Sequence, residues 1–172
     1  DLFLLRLQRL TKKRNTMSLI KSMSGIRGTI GGTMGDNLTP LDAVKFASAY
    51  GTWLLKRNTS LPSDSRVKVV LGRDARISGK MISSLVANTL VGLGIDVLDL
   101  GLSTTPTVEV AVSMESAHGG IIITASHNPK QWNALKLLNE LGEFLNAADG
   151  QEILTLAGHG DLDFAAVDHL GR

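Results

Sequence analysis

The sequence predicts an α/β domain of three layers, α/β/α, around a mostly parallel mixed sheet with one antiparallel hairpin strand. Three observations lead there. Short apolar runs alternate with longer segments of helical periodicity; the run Gly120-Ile-Ile-Ile-Thr124 has no polar face at all; and 172 residues is the size of one domain. Strands buried on both faces and separated by helices are the pattern of a parallel sheet covered on both sides.

Each element has its own warrant. Thr39-Pro40 supplies an N-cap and a first-turn proline, and Val44, Ala47, Gly51 and Leu54 recur at helical spacing up to Lys56-Arg57. After a polar turn, Val67-Lys68-Val69-Val70-Leu71 is β-branched and stops at Gly72, as a buried strand does. Residues 78–91 read as a second helix, capped by Ser78 and closed by Gly92. Residues 95–100 form the next strand, 106–116 the next helix and 120–124 the apolar strand. Residues 135–139 and 143–145, around Glu140-Leu141-Gly142, then read as a β-hairpin, and 149–157 as a last helix.

Composition removes several function classes. No apolar run approaches the roughly 18–20 residues that cross a bilayer, so no membrane partner is expected. The absence of cysteine removes thiolate chemistry and Cys-based zinc sites and fits a cytoplasmic location. The net charge of +2 is local in origin. Residues 1–16 carry five basic side chains against one acidic, leaving 13 basic and 15 acidic in residues 17–172. That mildly acidic remainder, with seven aromatic residues, argues against nucleic acid as a partner. Met17 opens a normal-looking start, so residues 1–16 read as an upstream or non-native extension and residues 17–172 as the domain; an amphipathic N-terminal helix is the alternative. The other end carries no stop signal and reads as a truncation.

Several apparent motifs fail on spacing. Gly72-Arg-Asp-Ala-Arg-Ile-Ser-Gly79-Lys80 has six residues between its glycines where a nucleotide P-loop has four, and Met81 stands where that loop needs Ser or Thr. Gly92-Leu-Gly94 lacks the third glycine of a dinucleotide fingerprint and follows a helix. His118, His127, His159 and His169 show no metal spacing, and Asp161-Leu-Asp163 reads as a solvated turn. Thr124-Ala-Ser126-His127-Asn-Pro129 is different. It sets a hydroxyl and an imidazole on a tight loop after a buried strand, at the carboxyl end of the sheet where open α/β folds bind ligands. Ser126 is therefore a candidate phosphoryl acceptor; the plainer reading is a turn built from turn-forming residues.

The segment Thr124-Ala-Ser-His-Asn-Pro129, with Lys136 ten residues after Ser126, resembles the phosphoserine signature of the α-D-phosphohexomutases, the family of phosphoglucomutase, phosphomannomutase and phosphoglucosamine mutase. Three further segments agree with it. Ser24-Gly-Ile-Arg27-Gly28 resembles the family's Arg-Gly loop, Gly72-Arg-Asp-Ala-Arg-Ile-Ser-Gly79 its Gly-Arg-Asp-x-Arg-x-Ser-Gly segment, and Asn139-Glu-Leu-Gly142 the turn after the lysine strand. The likeness runs from about Met17 to Ala157.

The resemblance implies that Ser126, once phosphorylated, gives its phosphoryl group to a hexose monophosphate, with return of the other phosphate from a bisphosphorylated sugar. A serine phosphate carries about −1.5 to −2 charge and needs cations around it. Arg27 and Lys136 are the candidates, Lys136 also as the base for a sugar hydroxyl; the plainer alternatives are a brace for a Gly-rich loop and the exposed face of a strand. His127 would shape the loop or touch phosphate. Arg73 and Arg76 would position phosphate, or else pair with Asp74. The family's Mg²⁺ is held by a phosphoserine oxygen, here on Ser126, and by an Asp-Gly-Asp-x-Asp-Arg loop of a second domain that this sequence lacks. Hexose 1,6-bisphosphate is the implied activator.

The resemblance thus implies domain I of four, inactive without its downstream partner domains, with a phosphosugar as substrate. The opening Ser24-Gly-Ile-Arg-Gly-Thr-Ile-Gly-Gly reads closest to phosphoglucosamine mutase, although Lys130-Gln131-Trp132 departs from the usual small or acidic residues after Asn-Pro. A non-catalytic phosphosugar-binding module is the competing reading.

Overall fold

The computed structural model describes residues 17–22, 25–62, 65–160 and 162–172. The 1–16 extension, Ser24 of the Arg-Gly segment and Asp161 lie outside the described residues.

Among the described residues the chain forms six strands and four α-helices: β1 (Ile20–Ser22), β2 (Gly25–Thr29), α1 (Pro40–Arg57), β3 (Lys68–Arg73), α2 (Gly79–Gly92), β4 (Asp96–Leu102), α3 (Thr105–Met114), β5 (Gly119–Ile123), β6 (Trp132–Leu138) and α4 (Ala147–His159). The strands make one sheet in the order β1-β2-β6-β5-β3-β4. Helices α1, α2 and α4 cover one face, packing on Val69, Leu71, Ile121, Ile123, Leu135 and Leu137. Helix α3 covers the other face through Val108 and Val112 on Val70, Ile122 and Leu138. Alternate residues of one strand thus enter different cores, which is why β5 has no polar side. Each fully buried Ile or Leu contributes about 1.5–3 kcal/mol.

The α/β class, the three layers and the mixed sheet are as expected, but the antiparallel part is larger than one hairpin strand. Strand β3 runs parallel to β4 and β5, whereas β1–β2, β2–β6 and β5–β6 are antiparallel. The expected hairpin is corrected as well. Its first arm starts earlier, at Trp132, and its second arm shrinks to an isolated bridge between Leu138 and Phe144. Strand β6 already has β2 and β5 along its two edges, so residues 143–145 have no free edge to extend.

Helix starts and stops mostly follow local chemistry. The Thr39 side chain accepts from the Asp42 amide and Asp42 returns a bond to the Thr39 amide, a reciprocal cap in front of Pro40. Ser78 stands at the N-cap position of α2 but makes no cap bond; its Oγ instead accepts from Asn133 Nδ2 at 2.9 Å. Gly92 is still helical, and the left-handed residue that ends this turn is Gly94, at φ 84°. Helix α3 begins at Thr105, capped by Thr104, and ends at Met114, before Ser116. On α1, buried Tyr50 donates its hydroxyl to Leu138 O at 2.7 Å and to Gly120 O at 3.3 Å, tying helix to sheet. Burial pushes this phenol well above the ordinary tyrosine range, so it stays a donor.

Candidate phosphoserine loop

Strands β3 and β5 are parallel neighbours, with Arg73 opposite Ile123, so the loops that follow them emerge side by side at the carboxyl end of the sheet. Antiparallel β6 returns from that same end, and β2 runs back alongside it. Three separate stretches of sequence therefore meet at one place: residues 74–78, residues 124–131 and the β2–β6 pair.

Ser126 is exposed and has φ 50°, a left-handed backbone that a non-glycine residue adopts at a cost of about 1–3 kcal/mol. The surrounding loop holds it there. The Thr124 hydroxyl donates to Asp74 Oδ2 at 2.6 Å and accepts from the Ser126 amide at 3.2 Å. Asn128 bonds twice to Ala125 O, through its side chain at 2.8 Å and its amide at 3.0 Å. His127 is exposed on the same turn.

Arg76 lies beneath the loop with its side chain only 12% exposed. Nε donates to Asp74 Oδ2 at 3.2 Å, Nη1 to Pro129 O and Trp132 O at 2.9 and 3.0 Å, and Nη2 to Ser126 O and Asn128 O at 2.6 and 2.8 Å. A guanidinium has five N–H groups, and all five are engaged. Of the two roles that its sequence context allows, the pairing with Asp74 is the one formed here, and the donors face the protein. Arg73 is half-buried, with Nη1 on Asp74 O at 3.2 Å.

Arg27 and Lys136 stand on the antiparallel pair that adjoins the loop. Ile26, Leu135 and Leu137 enter the core beneath α1, so Arg27 and Lys136, one residue out of phase, lie on the opposite face of the sheet. Arg27 pairs with Ala134, and Lys136 with Gly25 and Ile122. The two cations are thus diagonal neighbours, about 7–8 Å apart at the backbone. Arg27 is exposed; Lys136 is half-buried, with Nζ 5.6 Å from the centre of the Phe144 ring. Gly25, at φ 145°, is needed here because a Cβ would run into Leu135 O. That Arg27 stands on a paired strand, and that Phe144 lies against Lys136, had no signal in the sequence. Neither β1 nor β2 is long enough to show alternation, and Phe144 arrives from across a turn.

A family model described as phosphoglucomutase/phosphomannomutase, alpha/beta/alpha domain I, matches residues 19–162. The chain belongs to this family. All the residues gathered around the loop fall within the matched span. A phosphoglucomutase/phosphomannomutase of Thermococcus kodakarensis is 41% identical over 122 residues, which are 70% of this chain and 26% of that protein. A phosphoglucosamine mutase of Latilactobacillus sakei is 39% identical over 116 residues, 67% of this chain and 25% of that one. The crystal structure of a Thermus thermophilus protein named as a phosphomannomutase superposes with TM-score 0.70 at 28% identity, covering 83% of this chain and 30% of its own. The chain therefore spans about a quarter to a third of these relatives' length.

Proposed function

We propose that this phosphohexomutase-family chain is the phosphoserine domain of a mutase that interconverts hexose 6-phosphate and hexose 1-phosphate through a bisphosphorylated sugar. The observation that carries the reading is the convergence on Ser126. A strained, exposed serine sits on a braced loop at the carboxyl end of the sheet, and Arg27 and Lys136 share one face of the β2–β6 pair into which that loop leads. In the forward step the bond from phosphorus to Ser126 Oγ breaks and a bond to a sugar hydroxyl oxygen forms; Lys136, acting as the neutral amine, accepts the proton of that hydroxyl and becomes the ammonium, and the serine oxygen leaves as an alkoxide that takes a proton from water. Return of the sugar's other phosphate restores the phosphoserine. Arg27 offsets the charge on the transferring group, a contribution worth about 10²–10³ in rate for one well-aimed donor. His127 and Arg73 stand at the loop's edge as further phosphate contacts.

Among the described residues no group of three or more His, Asp or Glu side chains could hold a metal ion. What this chain offers Mg²⁺ is the phosphate of Ser126, the remaining ligands belonging to a downstream domain. When bound, the ion would neutralise charge on the phosphoryl group. The downstream domains, the phosphosugar substrate, hexose 1,6-bisphosphate as activator and a cytoplasmic location belong to the same proposal. So do the boundaries, residues 17–172 as the domain with 1–16 as an extension. No helix among the described residues is long and apolar enough to cross a membrane. Relatives bear both phosphoglucosamine mutase and phosphoglucomutase/phosphomannomutase names, and the N-terminal segment favours the first.

The test is Ser126→Ala in the protein carrying the downstream domains that the relatives have. Phosphoryl exchange between the sugar positions should vanish while phosphosugar binding persists. Exchange at the unaltered rate would sink the reading.

A further inference from the structure

The bonds made by Arg76 fix more than the position of the loop; they fix which way its peptide units point. In a trans peptide the carbonyl and the following N–H are directed oppositely, and no peptide of this chain is cis among the described residues. The carbonyl of Ser126 belongs to the same peptide unit as the His127 N–H, and that of Pro129 to the same unit as the Lys130 N–H. Both carbonyls are taken by the guanidinium. Neither the His127 nor the Lys130 amide has a protein acceptor among the described residues. The third loop carbonyl that Arg76 holds, that of Asn128, precedes Pro129, which has no N–H to aim.

We infer that Arg76 is a positioning residue that sets the polarity of the Ser126 loop, drawing carbonyl oxygens inward so that the His127 and Lys130 amides face outward as donors to a phosphoryl group on Ser126. The inference deepens the proposed function and rests on it for the identity of the anion. Backbone amides held facing outward from one tight loop are donors that an anion can share. A lysine keeps the positive charge but lacks the planar five-donor fork, so it cannot hold four carbonyls and a carboxylate together. Charge and orientation are separable for this reason. Asp74 completes the device, binding the Arg76 amide and Nε on one side and the Thr124 hydroxyl on the other.

The test installs phosphoserine genetically at position 126 of the 172-residue chain and compares it with the unmodified chain by amide and phosphorus NMR. The His127 and Lys130 amide protons should move downfield on phosphorylation. The second phosphate ionisation should fall below its ordinary value of about 6, since amide donors favour the dianion. Arg76→Lys, with its charge intact, should lose most of both effects while amides of the sheet core keep their positions. Unmoved His127 and Lys130 amides in the wild-type chain would overturn the inference, as would an Arg76→Lys chain with both effects intact. If that variant does not fold, the wild-type amide shifts decide alone. Failure of the mutase reading shows up separately, as Ser126 that takes no phosphoryl group from a hexose bisphosphate and Mg²⁺, and leaves this measurement standing.

Discussion

The two halves of the sheet divide the work. In the parallel half, the side chains of β5 and β3 are spent on the two cores with β4 half-buried at the edge, and two neighbouring loops emerge at the carboxyl end, one of which braces the other through Arg76 and Asp74. In the antiparallel half, β2 and β6 bury one face under α1, and the opposite face, covered in part through Leu138, carries Arg27 and Lys136. On the proposed function, the parallel half positions Ser126 through its loops, whereas the antiparallel half supplies charge directly from its strands. Damage to the first should therefore cost folding or loop geometry, and damage to the second should cost chemistry.

The largest separation should come from Ile121→Ala, which opens a cavity under α1 at a fully buried position and should cost about 2–5 kcal/mol in denaturant unfolding. Lys136→Met should do the reverse. Phosphoryl transfer in the protein with its downstream domains should fall about 10²–10³-fold, with unfolding within about 0.5 kcal/mol of wild type, because methionine keeps the apolar stem and gives up only the charge over the Phe144 ring. A Lys136→Met chain that unfolds as readily as Ile121→Ala would erase the distinction. Thr39→Ala, at the cap of the helix that both halves share, should cost about 0.5–2 kcal/mol with no change in transfer rate per folded molecule.

The smallest effect is a pH dependence. Tyr50 is neutral in the fold and its pKa is raised by burial, so the stability it contributes is fully present below the unfolded tyrosine value of about 10. That stability is lost as pH rises above it, since the unfolded state then releases a proton that the folded state keeps. Tyr50→Phe should be less stable at neutral pH, leaving Leu138 O and Gly120 O without their donor, and should lose less stability between about pH 9 and 11. A parallel decline of both proteins across that range would remove Tyr50 as the cause.

The same division decided what was legible in the sequence. The parallel half is written in long apolar runs and capped helices: β5 at Gly119–Ile123 and α1 behind Thr39-Pro40 lie within a residue or two of where periodicity sets them. In the antiparallel half β1 and β2 are only three and five residues long, so they have no readable period, and the hairpin read around Glu140-Leu141-Gly142 missed that both edges of β6 were already taken. For the site, the order of the motifs brought Ser126, His127, Arg27, Lys136, Arg73 and Arg76 forward together. Whether Arg76 faced outward to phosphate or inward to the loop could not be read from spacing, because its acceptors are backbone carbonyls 50–56 residues away.

The central claim is that Ser126 carries and passes on a phosphoryl group. Peptide mass spectrometry on protein purified with phosphatase inhibitors, before and after incubation with a hexose monophosphate, tests it most directly. The account predicts one phosphoryl group on Ser126 that disappears with the sugar. A Ser126 that stays unmodified even after exposure to a hexose bisphosphate and Mg²⁺ would contradict it and leave a phosphosugar-binding module in its place.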